Sequence, residues 1–419
     1  MAVSAGLRAL RHRDFRLFWS GQLVSLIGTW MQSVGQSWLV LELTDSPFRL
    51  GLIGALQFGP ILLFSFLGGA ISDRVHKRRL LVGTQTALML QALTLSALVW
   101  SGHVRFWHVA VLAALYGLAT TLDMPARQAF IAHLVPRSDL MNAIALNSAV
   151  FNGARVVGPA AAGLLVARYG TAAAFLLNGL SFIAVIAALL AIHADGAPRP
   201  RSGLTMGAEI AEGVRFALGA PRIALVFGLL LSVSLFVINT NVLVPLLARD
   251  VLHEGAHGFG LLMASLGVGA VMGALAVAAL SVGRPPLWAV VAPAAAAAAL
   301  LAGLSLVRHF GMAAAVLMAM GLAQITFMTG CNTTVQITVP DDLRGRIMGL
   351  YALVFAGMTP IGSLIMGSIA ERWGVSVACA VGGLVGLCLV SLLTLRWHYR
   401  HGRSGAPPLA PGSSALVPP

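Results

Sequence analysis

Five polar side chains, Gln22, Ser25, Thr29, Gln32 and Gln36, recur at steps of 3, 4, 3 and 4 within an otherwise apolar run. That spacing places them on one face of a helix. Carboxamides in an apolar medium need partners, so the stripe either lines a wet, substrate-binding cavity or bonds to neighbouring helices. A second stripe, Tyr116, Thr120, Asp123 and Arg127, follows steps of 4, 3 and 4. Asp123 has two readings: a carboxylate that exchanges protons in a medium of low dielectric, or the static partner of Arg127 one turn away. Glu42 is the second candidate for proton exchange. Arg155 stands alone in the middle of an apolar run, where a guanidinium costs about 3 kcal/mol or more unless it is paired or wet. Its candidate roles are to hold an anionic or hydrogen-bonding substrate and to pair with Asp123. Asn239, Gln324 and Asn332 extend the polar character to later apolar runs and join the stripes as candidate cavity positions.

These residues must be carried by membrane helices. The chain has 419 residues, of which 58% are hydrophobic and only 10% charged, and its mean hydropathy is +0.88. No soluble globular domain carries that composition. A helix needs roughly 20 apolar residues to span the hydrocarbon. Twelve such runs begin near Phe18, Leu50, Leu80, Phe106, Asn142, Ala172, Ile223, Gly258, Trp288, Gly311, Arg346 and Gly374, so the expected class is an all-α protein of twelve transmembrane helices.

The net charge of +13 does not point to nucleic acid, because the bases sort by membrane side instead of gathering on one helix with interleaved aromatics. Of the 27 Lys and Arg residues, 20 fall on the side of the two termini, six fall on the other side, and Arg155 lies between. Both termini are therefore expected in the cytoplasm. Cys331, Cys379 and Cys388 are odd in number and sit in apolar runs, which argues for packing and against a disulfide framework or a metal site. The histidines, His103, His108, His133, His253, His257 and His309 among them, have no metal-ligand spacing. No GxxxxGK[ST] loop for ATP occurs, and no cleavable leader is read before the first span.

The polar interruption 194–221, with Asp195, Pro198, Arg199, Pro200 and Arg201, divides the spans six and six. The expected organisation is a cytoplasmic N-terminus at 1–14, a six-helix bundle at 15–193, a linker at 194–221, a second bundle at 222–397 and a disordered cytoplasmic tail at 398–419. Within the linker, Glu209, Ile210, Glu212, Val214, Arg215 and Phe216 predict a short amphipathic helix, either on the membrane surface or a plain connector. A shift of 204 residues lays Val135 on Val339, Phe151 on Phe355, Gly158 on Gly362, Gly163 on Gly367, Arg168 on Arg372 and Gly170 on Gly374. The two bundles are thus related repeats with a path between them. The same shift lays Arg155 on Thr359, so the fold itself does not demand arginine there.

Between the second and third runs the chain reads GAISDRVHKRR, Gly69 to Arg79. Gly69, Asp73, Arg74, Lys77, Arg78 and Arg79 resemble the signature of the major facilitator superfamily, a Gly, three residues, Asp-Arg, one residue, Gly and then bases. His76 stands where that family has its second glycine, the residue that would make the turn conformation cheap. The resemblance implies that Asp73 braces the cytoplasmic gate, paired with a base and facing a helix N-terminus of the other half. The equivalent loop around Arg284 lacks the acid, so the brace is one-sided. Gly158, Pro159 and Gly163 resemble the fifth-helix motif of antiporters in the superfamily, and their chemistry fits a flexing helix or close helix packing. Arg127 groups with these gate residues. Helices 1, 4, 7 and 10 line the cavity in the superfamily, which places the stripes above. The stretches RHRDFRLFWSGQLVSLIGTWMQ, SWLVLELTDSP and DMPARQAF, with Asn142, Ala143 and Asn147, resemble its enterobactin-exporter-like branch from about Leu10 to Trp397.

The function implied is secondary export of a small molecule, a siderophore-like metabolite or a drug, across a bacterial inner membrane by alternating access. Proton antiport is the expected energy source, with no cofactor, no covalent chemistry and a monomeric protein. Only Asp123 and Glu42 among the 14 acids reach the membrane interior, so with Arg155 the expected cargo is neutral or anionic. Two other readings are a lipid or lysophospholipid flippase of the same fold and a non-transporting membrane sensor or scaffold. The scaffold would leave the polar stripes and Arg155 unexplained.

Overall fold

A backbone N–H or C=O in hydrocarbon has no water to bond, so apolar runs of this length satisfy themselves as helices. The computed structural model describes residues 5–194, 196–197, 206–280 and 285–401, and every regular element among them is helical. Asp195, Pro198, Arg199, Pro200, Arg201, Arg284 and the tail 402–419 lie outside the described residues.

The helices are α1 (Arg13–Thr44), α2 (Pro47–Arg74), α3 (Lys77–Trp100), α4 (Phe106–Leu134), α5 (Leu140–Tyr169) and α6 (Thr171–Ala191). A short helix, α7 (Met206–Gly219), leads to α8 (Pro221–Phe236), α9 (Thr240–Leu246), α10 (Ala256–Leu280), α11 (Trp288–Leu304), α12 (Phe310–Thr338), α13 (Asp341–Gly357), α14 (Thr359–Trp373) and α15 (Val375–His401). Among the described residues ten stretches are long and apolar enough to cross a membrane, and α11 is a shorter apolar helix. The 32-residue α1 completes the twelve; its glutamines keep it less hydropathic than the rest.

Two of the twelve spans are broken. The seventh consists of α8 and α9 separated at Val237–Asn239 and ends in a π turn, Leu247–Val251. The eleventh consists of α13 and α14, interrupted at Met358. In each case a side chain that competes for backbone bonds sits at the break: Asn239 Nδ2 donates to the Leu235 carbonyl at 2.8 Å, and Pro360, in the first turn of α14, has no N–H to offer to a continuous ladder.

Helices α1 to α6 pack on one another as one six-helix bundle, and α8 to α15 form the second. Their pseudo-symmetry is visible in the backbone. Gly170 ends α5 with φ 78°, and its counterpart 204 residues on, Gly374, ends α14 with φ 85°, a conformation that an L side chain resists. The bundles touch where α5 meets α10 and where α2 meets α14.

That contact runs from one end of the bundles to mid-membrane, where Gly267 of α10 meets the Arg155 carbonyl and Gly357 of α13 meets Leu62 of α2. A Cβ on Gly163 would stand 2.9 Å from the Gly260 Cα, and one on Gly367 3.2 Å from the Gly51 Cα, so backbones approach directly near the ends of α5 and α14. Trp38 of α1 stacks on Phe259 of α10 at 6.1 Å in the same layer. Toward the end that carries the α2–α3 turn, Gly69 meets nothing within 4 Å, and Met141 and Ile144 of α5 are exposed. The close approaches between the halves thus lie between the far end and mid-membrane.

Candidate functional site

The α1 stripe is buried at Gln22, Ser25, Gln32 and Gln36, and its amides reach neighbouring helices. Gln32 Nε2 donates to Gln91 Oε1 of α3 at 3.0 Å, and Asn178 Nδ2 of α6 donates to Gln32 Oε1 at 2.7 Å. Gln32 therefore lies in a three-amide cluster inside the first bundle and is not brought to the space between the bundles. Ser25 and Thr29 are joined within α1, where the Thr29 hydroxyl donates to the Ser25 carbonyl at 2.9 Å. Gln22 accepts from Arg127.

The Asp123 carboxylate is surrounded by donors. The Thr84 hydroxyl reaches Oδ1 at 2.8 Å and Gln85 Nε2 reaches the same atom at 2.7 Å, both from α3, while Arg127 pairs with Oδ2. Arg127 thereby ties α4 to α1 through Gln22. Arg155 takes no part, so the pairing of Arg155 with Asp123 considered from sequence is not formed: Asp123 spends its acceptors on closer donors. Tyr116 packs against the core of the first bundle, and Thr120 is partly buried one turn further. Glu42 is exposed in the last turn of α1, at the far end.

Arg155 sits halfway along α5, which runs unbroken through Pro159. Its guanidinium stands over the Trp30 ring at 5.8 Å from the centroid, and Trp30 meets Phe151 edge-on at 5.9 Å. Among the described residues the guanidinium forms no hydrogen bond or ion pair. Its seat depends on small neighbours: a Cβ on Gly158 would come within 2.5 Å of the Trp30 Cβ, and one on Gly267 of α10 within 2.6 Å of the Arg155 carbonyl oxygen. Gly158 thus admits α1, and Gly163 and the Pro159 carbonyl meet Gly260 of α10.

The breaks in the seventh and eleventh spans face α1 and α2 across a small polar pocket. Gln36 Nε2 donates to Gln57 Oε1 at 3.1 Å on one wall. On the other wall the Ser363 hydroxyl donates to Asn239 Oδ1 at 3.3 Å, with Asn241 and Thr359 beside them. Thr359, the repeat counterpart of Arg155, therefore marks a break where α5 is continuous. Of the second bundle's other candidates, Gln324 is buried in α12, and Asn332 accepts from Gln336 one turn away at 2.5 Å. No group of His, Cys, Asp and Glu that could hold a metal ion occurs among the described residues.

A description of transmembrane secretion effectors within the major facilitator superfamily matches residues 4–411. The chain belongs to this family. It is a multi-pass membrane protein of a transporter family whose members act on small molecules. The staphyloferrin A transporter of Staphylococcus aureus is 24% identical over 89% of this chain and 94% of its own. The enterobactin exporter EntS of Citrobacter koseri is 26% identical over 97% and 96%, and the multidrug efflux pump Tap of Mycolicibacterium fortuitum 27% over 83% and 87%. Among solved structures, a bacterial homologue of the lysosomal transporter Spinster, inward-facing and unoccupied, shares the fold with a TM-score of 0.69 at 13% identity, over 96% of this chain and 98% of that one. The nucleoside transporter NupG does so with 0.71 at 11% identity, over 92% and 100%.

The superfamily signature loop can be placed on this geometry. Arg78 donates to the Leu189 and Leu190 carbonyls at the end of α6, at 2.7 and 2.6 Å, where cations suit the helix dipole. Lys77 is buried and reaches the Ala197 carbonyl at 3.1 Å. Arg74 and Arg79 are exposed. The side chain of Asp73 lies outside the described residues. His76, where the superfamily carries glycine, has φ −62° and ψ 116° as the residue before α3, a conformation open to any side chain, so its loss of glycine leaves the turn unstrained.

Sequence reasoning missed the partners. Gln57, Gln91 and Asn178 are single polar residues in apolar runs, and that isolation is the signal that would have flagged them; Gln85 lies in a short polar cluster with Thr84 and Thr86. Asp45, Arg249 and Glu371 carry no sequence signal of their own. Their partners lie far along the chain, and no local pattern announces them.

Proposed function

We propose that this protein exports a small amphipathic molecule, neutral or anionic, from the cytoplasm across the bacterial inner membrane by alternating access. The arginine-rich end faces the cytoplasm in this reading, and the close approaches between the halves at the far end fit a state open to that side. The observation that carries the proposal is Arg155 over Trp30 and beside Phe151: a guanidinium in mid-membrane with aromatic faces around it and no protein anion bonded to it among the described residues. Such a group is costly unless a ligand or water meets it, and a cation beside aromatic rings suits a flat or amphipathic anion. The siderophore transporters and the multidrug pump among its relatives support the same cargo class.

Export in exchange for protons is part of the proposal, with Asp123 as the carrier and Glu42 as the second acid. A proton reaching Asp123 would displace contacts to Thr84, Gln85 and Arg127, so the network has to open during the cycle. Asp73 braces the cytoplasmic end when it closes, and the protein works as a monomer. The test is efflux of a siderophore or dye from proteoliposomes with an imposed pH gradient. Efflux that follows the gradient supports the reading, and efflux indifferent to it removes proton coupling.

A further inference from the structure

Three charged residues of the far end, Asp45, Arg249 and Glu371, take part in two contacts that cross the bundles, each between residues more than 200 apart in the chain. Ser46 caps α2, its hydroxyl accepting from the Arg49 N–H at 3.2 Å, and Pro47 begins the helix. Glu371, near the end of α14, completes that cap from the other bundle. One of its carboxylate oxygens accepts from the Ser46 hydroxyl at 2.9 Å and from the Phe48 N–H at 3.0 Å. The first N–H groups of a helix lack intrahelical acceptors and carry partial positive charge, so a carboxylate is the group they favour. Alongside, Asp45 in the left-handed turn after α1 pairs with Arg249 of the π turn at 2.9 Å, and Arg249 is oriented by Asp250 at 2.6 Å. Beneath both contacts lies the Gly51–Gly367 backbone approach.

We infer that Glu371 and Arg249 form a clasp that holds the far end shut and sets the ratio of the two access states. The inference rests on the transport reading above. The clasp exists only while the bundles touch at this end. When they part, the α2 N-terminus and both charges return to water. A contact made in one state alone biases the equilibrium by its own free energy. Both contacts are solvent-exposed, so together they are expected to shift the ratio about fivefold.

The test uses the full-length protein in nanodiscs with Cys388→Ser, since Cys331 and Cys379 are buried. Spin labels at Ser101→Cys and Leu306→Cys report the far end, and labels at Ser138→Cys and Ile337→Cys report the arginine-rich end. Glu371→Ala with Arg249→Ala is expected to raise the long-distance fraction of the first pair about fivefold and the short-distance fraction of the second in step. Glu371→Gln with Arg249→Lys keeps an acceptor and a donor and is expected to recover most of the original ratio. Gly163→Leu, which wedges α5 from α10, is the comparison. If the wedge opens the far end and the double alanine variant does not, the clasp is overturned while alternating access stands. If neither moves either pair, both readings are overturned.

Discussion

Arg127 pairs with Asp123 one turn before it on α4 and extends to Gln22 on α1, so one guanidinium joins two helices through a buried carboxylate. Removing one member of such a pair strands the other. Arg127→Gln should lower stability by about 3 kcal/mol, and the double variant Asp123→Asn/Arg127→Gln should recover part of that loss. Thermal unfolding in detergent checks the order. Gradient-driven efflux by the double variant would show that the proton is carried elsewhere.

Arg155→Gln keeps hydrogen-bonding capacity and removes the charge. Uptake of an anionic cargo into inverted vesicles should show KM raised about tenfold, the effect of ~1.4 kcal/mol. A neutral cargo should change by less than about twofold. Equal losses for both would make Arg155 a structural residue.

The Gln32 cluster gives the opposite pattern. Gln32→Leu leaves the Gln91 and Asn178 amides without their shared partner and should cost about 1–2 kcal/mol. The readout is a lower Tm with KM unchanged in the folded protein. A raised KM at unchanged Tm would return Gln32 to the cargo path.

Gly163→Leu places a side chain where a Cβ alone would stand 2.9 Å from the Gly260 Cα. The protein should fold, since each bundle keeps its own core, but should lose nearly all transport. Thiol labelling should then find far-end positions of α5 reactive that are protected in the parent protein.

Much of this architecture is legible in the residues. The twelve apolar runs and the 204-residue shift foretell two related bundles, and the shift even matches Gly170 to Gly374, which share a backbone conformation. The breaks at Val237–Asn239 and Met358 were not legible, because a run such as INTNVLVP stays apolar on average while Asn239 takes a backbone acceptor. The α1 stripe was recognised as a face, but periodicity cannot say what faces it. Gln32 found Gln91 and Asn178, whereas Gln36, one turn on, reached Gln57 and the pocket. Polar contacts such as Glu371 with Ser46 and Asp45 with Arg249 depend on tertiary proximity alone, which hydropathy does not encode.

Arg346 of α13 pairs with Glu212 of α7, and α7 also packs along α8. The helical part of the connection is therefore luggage of the second bundle. The chain up to Ala197 is held in turn by the first bundle, through Asp14 and Lys77, so what joins the two bundles as a tether is only the chain from Ala197 to Met206, a span of about 30 Å at full stretch. That length is about three times the width of a bundle helix, so the covalent link leaves room for the halves to rock. The limits must come from surfaces that collide, glycine against glycine at the far end and the signature loop at the other.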